Sequence, residues 1–177
     1  MENEVRVRDL FLNPGYVCVP PEPARLAVVA ASGVAVTLYD RDNRRGGMGH
    51  YIRPIREAGF STAMFAAPAI VTLAQMMFAT GSVPSGIEAH LYGGASNSEA
   101  DGFAPELAEE NVRVGEEILA RMGISLAGKD VGGTRARKII FHTATGETVV
   151  AKVERVRSSD WYPDFRLTQG GNGDNES

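Results

Sequence analysis

The stretch from residue 25 to residue 50, RLAVVAASGVAVTLYDRDNRRGGMGH, limits what this chain can fold into more than any other. Two apolar runs rich in β-branched residues, 26–31 and 34–39, are joined through Ser32-Gly33. Runs of that length and composition read as buried strands. Glycine has no Cβ, so the junction is a place where the backbone can bend or come close to another group. A polar turn over 40–45 and the pair Gly46-Gly47 then lead to His50. A chain reversal at that turn could bring the imidazole beside the bend, and a serine with a histidine in reach is one way to build a nucleophile and its base.

The remaining segments surround this corner with an α+β pattern. Strand candidates lie at 15–19, stopped by Pro20-Pro21, and at 48–53, closed by Pro54. Apolar residues from Ala69 to Phe78 recur at helical spacing, with Pro68 suited to a first turn and Gly81 to the position past the end. A strand at 87–92 ends in Gly93-Gly94-Ala95-Ser96. A second helix follows, with Glu106, Glu109 and Glu110 near its start, Arg121 near its end and Gly123 stopping it. Leu107, Asn111, Val114, Ile118 and Met122 define its expected inner side. Three more strands, 124–126, 137–142 and 148–153, complete the body, the last two as a hairpin through Thr145-Gly146-Glu147. Four strands, helix, strand, helix and three strands lack the strict alternation of a doubly wound sheet.

A length of 177 residues suits one domain with short appendages. Residues 1–12 read as a flexible N-terminus, 13–153 as the folded domain and 154–177 as a C-terminal extension, disordered from about residue 169. Trp161, Tyr162 and Phe165 in that extension are expected to dock onto the body. A net charge of −4 argues against nucleic acid as a partner. No apolar run approaches a bilayer span, so no membrane insertion is expected and the cytoplasm is the default location.

Side chains that could carry chemistry are few. Cys18 alternates with Val17 and Val19 and reads as a buried, inert thiol. His50, His90 and His142 lie on separate strand candidates with no HxH or HExxH spacing, so neither a metal nor another cofactor is expected. The three glycine pairs fit neither a phosphate loop nor a dinucleotide fingerprint. Ser32 beside His50 is the hydroxyl to consider.

Over roughly residues 15–153 the chain resembles the chemoreceptor glutamine deamidases (CheD) of bacterial chemotaxis. The resemblance rests on Ser32-Gly33-Val34-Ala35-Val36 with Asp40, on Gly47-Met48-Gly49-His50 and Pro54, and on Gly93-Gly94-Ala95. It continues through Asn111-Val112, Gly123-Ile124 and Asp130-Val131-Gly132-Gly133 with Arg137-Lys138. It implies an α+β sandwich of two packed mixed sheets with helices on the outside. It also implies a protein-glutamine amidohydrolase in which a cysteine after the serine attacks a receptor glutamine. The histidine of the Gly-x-Met-x step, and a threonine six residues before the cysteine, assist.

Carried onto this chain, the histidine is His50 and the serine Ser32. The cysteine position is Gly33 and the threonine position Ala27. Asn97 and Ser98 stand where the family commonly carries an apolar Met-Phe tip tied to partner contacts. Ala108-Glu109-Glu110 replaces its usual Gly-x-Arg. The leading expectation is a degenerate, non-catalytic CheD-like regulator that binds chemoreceptor cytoplasmic domains or a CheC-type phosphatase. One alternative is an active deamidase using Ser32 or a water activated by His50. Another is a scaffold reused for an unrelated partner.

Overall fold

In the computed structural model, residues 6–55, 62–97 and 104–154 are described. Nine strands and two helices follow one another as β1 (Arg8–Phe11), β2 (Val17–Cys18), β3 (Ala24–Ala30), β4 (Val34–Asp40), β5 (Arg45–Tyr51), α1 (Ala66–Ala79), β6 (Ile87–Gly93), α2 (Pro105–Arg121), β7 (Ser125–Val131), β8 (Ala136–His142) and β9 (Thr148–Val153). The strands form two mixed sheets, ordered β1-β3-β8-β9 and β2-β5-β4-β6-β7. The expected α+β sandwich is therefore present. Both helices pack on the five-stranded sheet, and the four-stranded sheet packs on that sheet's other face.

Strand alternation sorts the core into two layers. Leu26, Val28 and Ala30 of β3 meet Ala35 and Tyr39 of β4, Met48, Tyr92, Ile139 and Phe141 between the sheets. Val34, Val36 and Leu38 face the other way, onto Ile70, Leu73 and Met77 of α1 and Leu119 of α2. The chain passes from one sheet to the other at residues 31–33, the bend that interrupts the two apolar runs.

Four local readings change. Arg8–Phe11, taken from sequence as part of a loose N-terminus, is a strand parallel to β3. Its charges hide it, yet Asp9 pairs with Arg25 across the register and the backbone does the rest. Gly46-Gly47, read from sequence only as leading out of the polar turn, is part of β5, and both positions are crowded: a Cβ on Gly46 would lie 2.7 Å from Phe141 Cζ and 2.8 Å from the Leu38 carbonyl. A Cβ on Gly47 would lie 2.5 Å from Val19 Cγ2, 2.6 Å from the Cys18 carbonyl and 2.9 Å from Leu73 Cδ1. Helix α1 starts at Ala66, three residues before the apolar periodicity read from Ala69, with Pro68 in its first turn as expected.

On α2 the buried line is Ala108, Asn111, Gly115 and Leu119, offset from the large-residue side read from sequence. Val114, Ile118 and Met122 are only partly buried. Small residues mark where the helix sits close: a Cβ on Gly115 would collide with the Tyr51 hydroxyl. Residues 161, 162 and 165 and the rest of the extension beyond Glu154 lie outside the described part. No helix among the described residues is long and apolar enough to cross a membrane.

Gly47 and Gly49 make a paired test of this packing. Gly47→Ala is expected to lower stability by about 1–3 kcal/mol in urea unfolding, as overpacking does. Gly49→Ala, whose new methyl would find its nearest neighbours at 3.5 Å, should be neutral or slightly stabilising. Equal costs at the two positions would refute the close α1–β5 approach.

Candidate functional site

Residues 31–33 leave the inter-sheet layer with backbone groups that no strand ladder satisfies, and three neighbours take them up. Ala95 N–H donates to the Ala31 carbonyl at 2.8 Å and Gly94 N–H to the Gly33 carbonyl at 2.9 Å. The amide Nδ2 of Asn111, a fully buried side chain of α2, donates to the Ser32 carbonyl at 2.9 Å and to the Ile52 carbonyl at 3.1 Å. The Tyr51 hydroxyl donates in turn to the Asn111 carbonyl at 2.7 Å. Burial, and then the charge of Glu116, push that phenol far above its ordinary range, so it stays a neutral donor. Gly93 and Gly94 take positive φ, +113° and +57°. A Cβ on Gly93 would strike the Gly33 carbonyl, and one on Gly94 would strike Val112. Glycine is required for β6 to end against the corner.

His50 lies on β5 opposite Ala35, on the face that looks between the sheets. It is buried, and its main chain is tied to the loop before β2. His50 N–H donates to the Tyr16 carbonyl and Gly15 N–H to the His50 carbonyl, at 3.1 and 2.8 Å. Burial pushes its imidazole down from the ordinary 6.5 to about 4. It is thus neutral at physiological pH, able to accept a proton but poorly disposed to hold one.

Gly33 and His50 do come together as the spacing suggested. A Cβ on Gly33 would stand 3.2 Å from His50 Nε2, so a side chain here would meet the imidazole. The same Cβ would be 2.6 Å from the Tyr51 carbonyl and 2.9 Å from Ile52 Cγ2. Backbone and side chain of the neighbouring strand fill the volume such a residue would need.

The other sequence candidates are placed as follows. Ser32 is partly buried, and its carbonyl is held by Asn111. Ala27 is paired between Phe11 of β1 and Ile140 of β8. Alternation along β3 turns its methyl away from the core layer of Leu26 and Val28. Asn97 is partly buried in the loop after β6, and Ser98 lies outside the described residues. Cys18 pairs with Met48, and burial raises its thiol above the ordinary value, against a reactive thiolate. His90 stacks on Tyr92, with ring centroids 6.2 Å apart, and His142 sits on β8 opposite Arg25. Among the described residues no three His, Cys, Asp or Glu side chains gather as metal ligands would.

The residue whose role sequence reading missed is Asn111. The available signal was a carboxamide in the middle of an otherwise apolar helical line, which needs partners once buried.

The sequence is similar to those of known proteins. A family model described as CheD chemotactic sensory transduction matches residues 55–152. The probable chemoreceptor glutamine deamidase CheD 1 of Anaeromyxobacter dehalogenans is 33% identical over 144 residues, covering 81% of this chain and 84% of that protein. The probable chemoreceptor glutamine deamidase CheD of Rhodospirillum rubrum is 31% identical over 150 residues, 85% of each. The probable CheD 2 of Geobacter sulfurreducens is 29% identical over 151 residues, covering 84% of this chain and 92% of that protein.

Two measurements probe the corner. A histidine held neutral in the fold but free to protonate when unfolded costs nothing above pH 6.5. Below that, its cost grows as pH falls toward 4, where it reaches on the order of 3 kcal/mol. Urea midpoints between pH 6.5 and 4.5 should therefore fall in the native chain and fall less in His50→Gln; parallel slopes would refute a buried neutral imidazole. Asn111→Ala strands two part-buried carbonyls and should cost about 1–3 kcal/mol, read as a lower urea midpoint at neutral pH. A loss under about 0.5 kcal/mol would show the clamp to be dispensable.

Proposed function

The chain belongs to the CheD family of chemotaxis proteins, and on that premise we propose that it is a regulator that engages chemoreceptors without deamidating them. The observation that carries this reading is the corner at Gly33. The resemblance assigns the attacking cysteine to that position, directly beside the histidine, where a Cβ would be 3.2 Å from Nε2. Glycine supplies no atom that could form an acyl intermediate. The Tyr51 carbonyl, 2.6 Å from where that Cβ would be, occupies the space. Loss of a catalytic nucleophile costs about 10⁶-fold in turnover in a protease triad.

Other residues support the same reading. Ala27 has no hydroxyl where the resemblance assigns a threonine. Ser32 lies in the bend between β3 and β4, where Asn111 holds its carbonyl. His50 is neutral, and position 33 offers it no thiol to deprotonate. The names of the relatives point to chemoreceptors as the partner class, met through their cytoplasmic domains. A CheC-type phosphatase is the second partner to try. Asn97 and Ser98, polar where the family commonly carries an apolar tip, are the positions at which partner choice would differ.

The purified chain mixed with a chemoreceptor cytoplasmic domain, or with a CheC-type phosphatase, is expected to form a complex by calorimetry. Mass spectrometry of the receptor should find no glutamine converted to glutamate. Conversion that disappears in His50→Ala or Ser32→Ala and survives in Cys18→Ala would overturn the proposal in favour of a working amidohydrolase. Failure to bind either partner would overturn it in favour of a scaffold put to another use.

A further inference from the structure

The outer face of the four-stranded sheet is left without a helix among the described residues, since α1 and α2 both sit on the five-stranded sheet. The register makes this face notable. Phe11 of β1 stands opposite Ala27 of β3, Ala27 opposite Ile140 of β8, and Ile140 opposite Val149 of β9. Four apolar residues thus form one continuous row across all four strands. Phe11 is 43% exposed and Val149 65% exposed, at the two ends of the row. Ala151, opposite Lys138, extends the apolar surface along β9. A sheet face of this composition is normally covered by another layer.

We propose that the covering layer is the chain's own segment after β9, residues 155–177, seated through Trp161, Tyr162 and Phe165. Three observations converge on that occupant. The segment leaves directly from β9, the edge strand that carries Val149. It is the part of the chain outside the described residues that carries Trp, Tyr and Phe close together, side chains that gain most from an apolar seat. And it is long enough. The row lies four residues back along β9 from Val153, roughly 13 Å, and spans three strand spacings, roughly 14 Å. Even its far end is then within roughly 20 Å, whereas the stretch from Glu154 to Trp161 can extend to roughly 23 Å. Docked this way, the segment turns two layers of strands and one of helices into a body closed on both sides. The seat lies on the face of β3 opposite the His50 layer, so this inference stands or falls independently of the proposed function.

Trp161 is the single tryptophan, so intrinsic fluorescence of the full chain reports on this seat alone. The expected result is an emission maximum at shorter wavelength than that of free N-acetyltryptophanamide, independent of protein concentration. Val149→Glu and, separately, Phe11→Ser should each shift it to the free value while far-UV circular dichroism keeps the native signal. Both substitutions are at exposed positions, so the fold should tolerate them. A native emission already at the free value overturns the proposal, as does one that neither variant moves. A short-wavelength emission that is lost on dilution assigns the face to a second copy of the chain. One that appears only when a chemoreceptor cytoplasmic domain is added assigns it to the receptor. Either outcome also overturns docking in cis.

Discussion

A half-buried chain corner outside any strand ladder needs donors for its carbonyls, and this fold is arranged around meeting that demand at residues 31–33. The polypeptide leaves one sheet and enters the other here, so no ladder can continue through it. The end of β6 and the side chain of Asn111 on α2 supply the donors instead. One carboxamide thereby couples the corner, the end of β5 through Ile52, and a helix from the opposite layer. Glycines at 93, 94 and 115 are the steric complement of this arrangement, since each stands where a methyl group would collide with the corner, with the helix or with Tyr51.

That arrangement also sets the electrostatic character of the corner. Tyr51 is held protonated by burial and by the charge of Glu116, and the His50 imidazole is held unprotonated by burial. A hydrolase corner generally needs an array of hydrogen-bond donors free to meet the oxyanion. Here the Gly94 and Ala95 amides that could have served as donors are engaged by the carbonyls of Gly33 and Ala31. The corner uses its hydrogen-bonding capacity on itself.

Much of the fold was legible because hydrophobic period and punctuation agree. The runs of β3 and β4, the hairpin of β8 and β9, and the stop of α2 at Gly123 all follow from local signals. What escaped was decided between elements. Arg8–Phe11 has no strand pattern of its own and is a strand because β3 offers it an edge. Gly46-Gly47 follows a polar turn with no strand pattern of its own, and the close approach of Phe141 to Gly46 and of Val19 and Leu73 to Gly47 accounts for glycine at both positions. In α2, periodicity favours the bulky line, whereas close packing selects Ala108, Asn111 and Gly115. At the site, the pairing of Gly33 with His50 was visible as a spacing, but the Tyr51 carbonyl that fills the volume belongs to a neighbouring strand and carries no sequence signature.

The pairing of β3 with β8 joins residues 25–30 to residues 137–142, and this has a consequence for how the protein is made. On the ribosome, β3 emerges early with a nearly continuous apolar sequence. Its central partner does not exist until more than half the chain has followed. Closing so large a loop slows folding relative to local pairing, and meanwhile the strand offers an unpaired apolar edge to other nascent chains. The parallel neighbour β1, made just before it, pairs only with the edge of β3 that faces away from β8, so the edge that β8 will fill stays open through the interval.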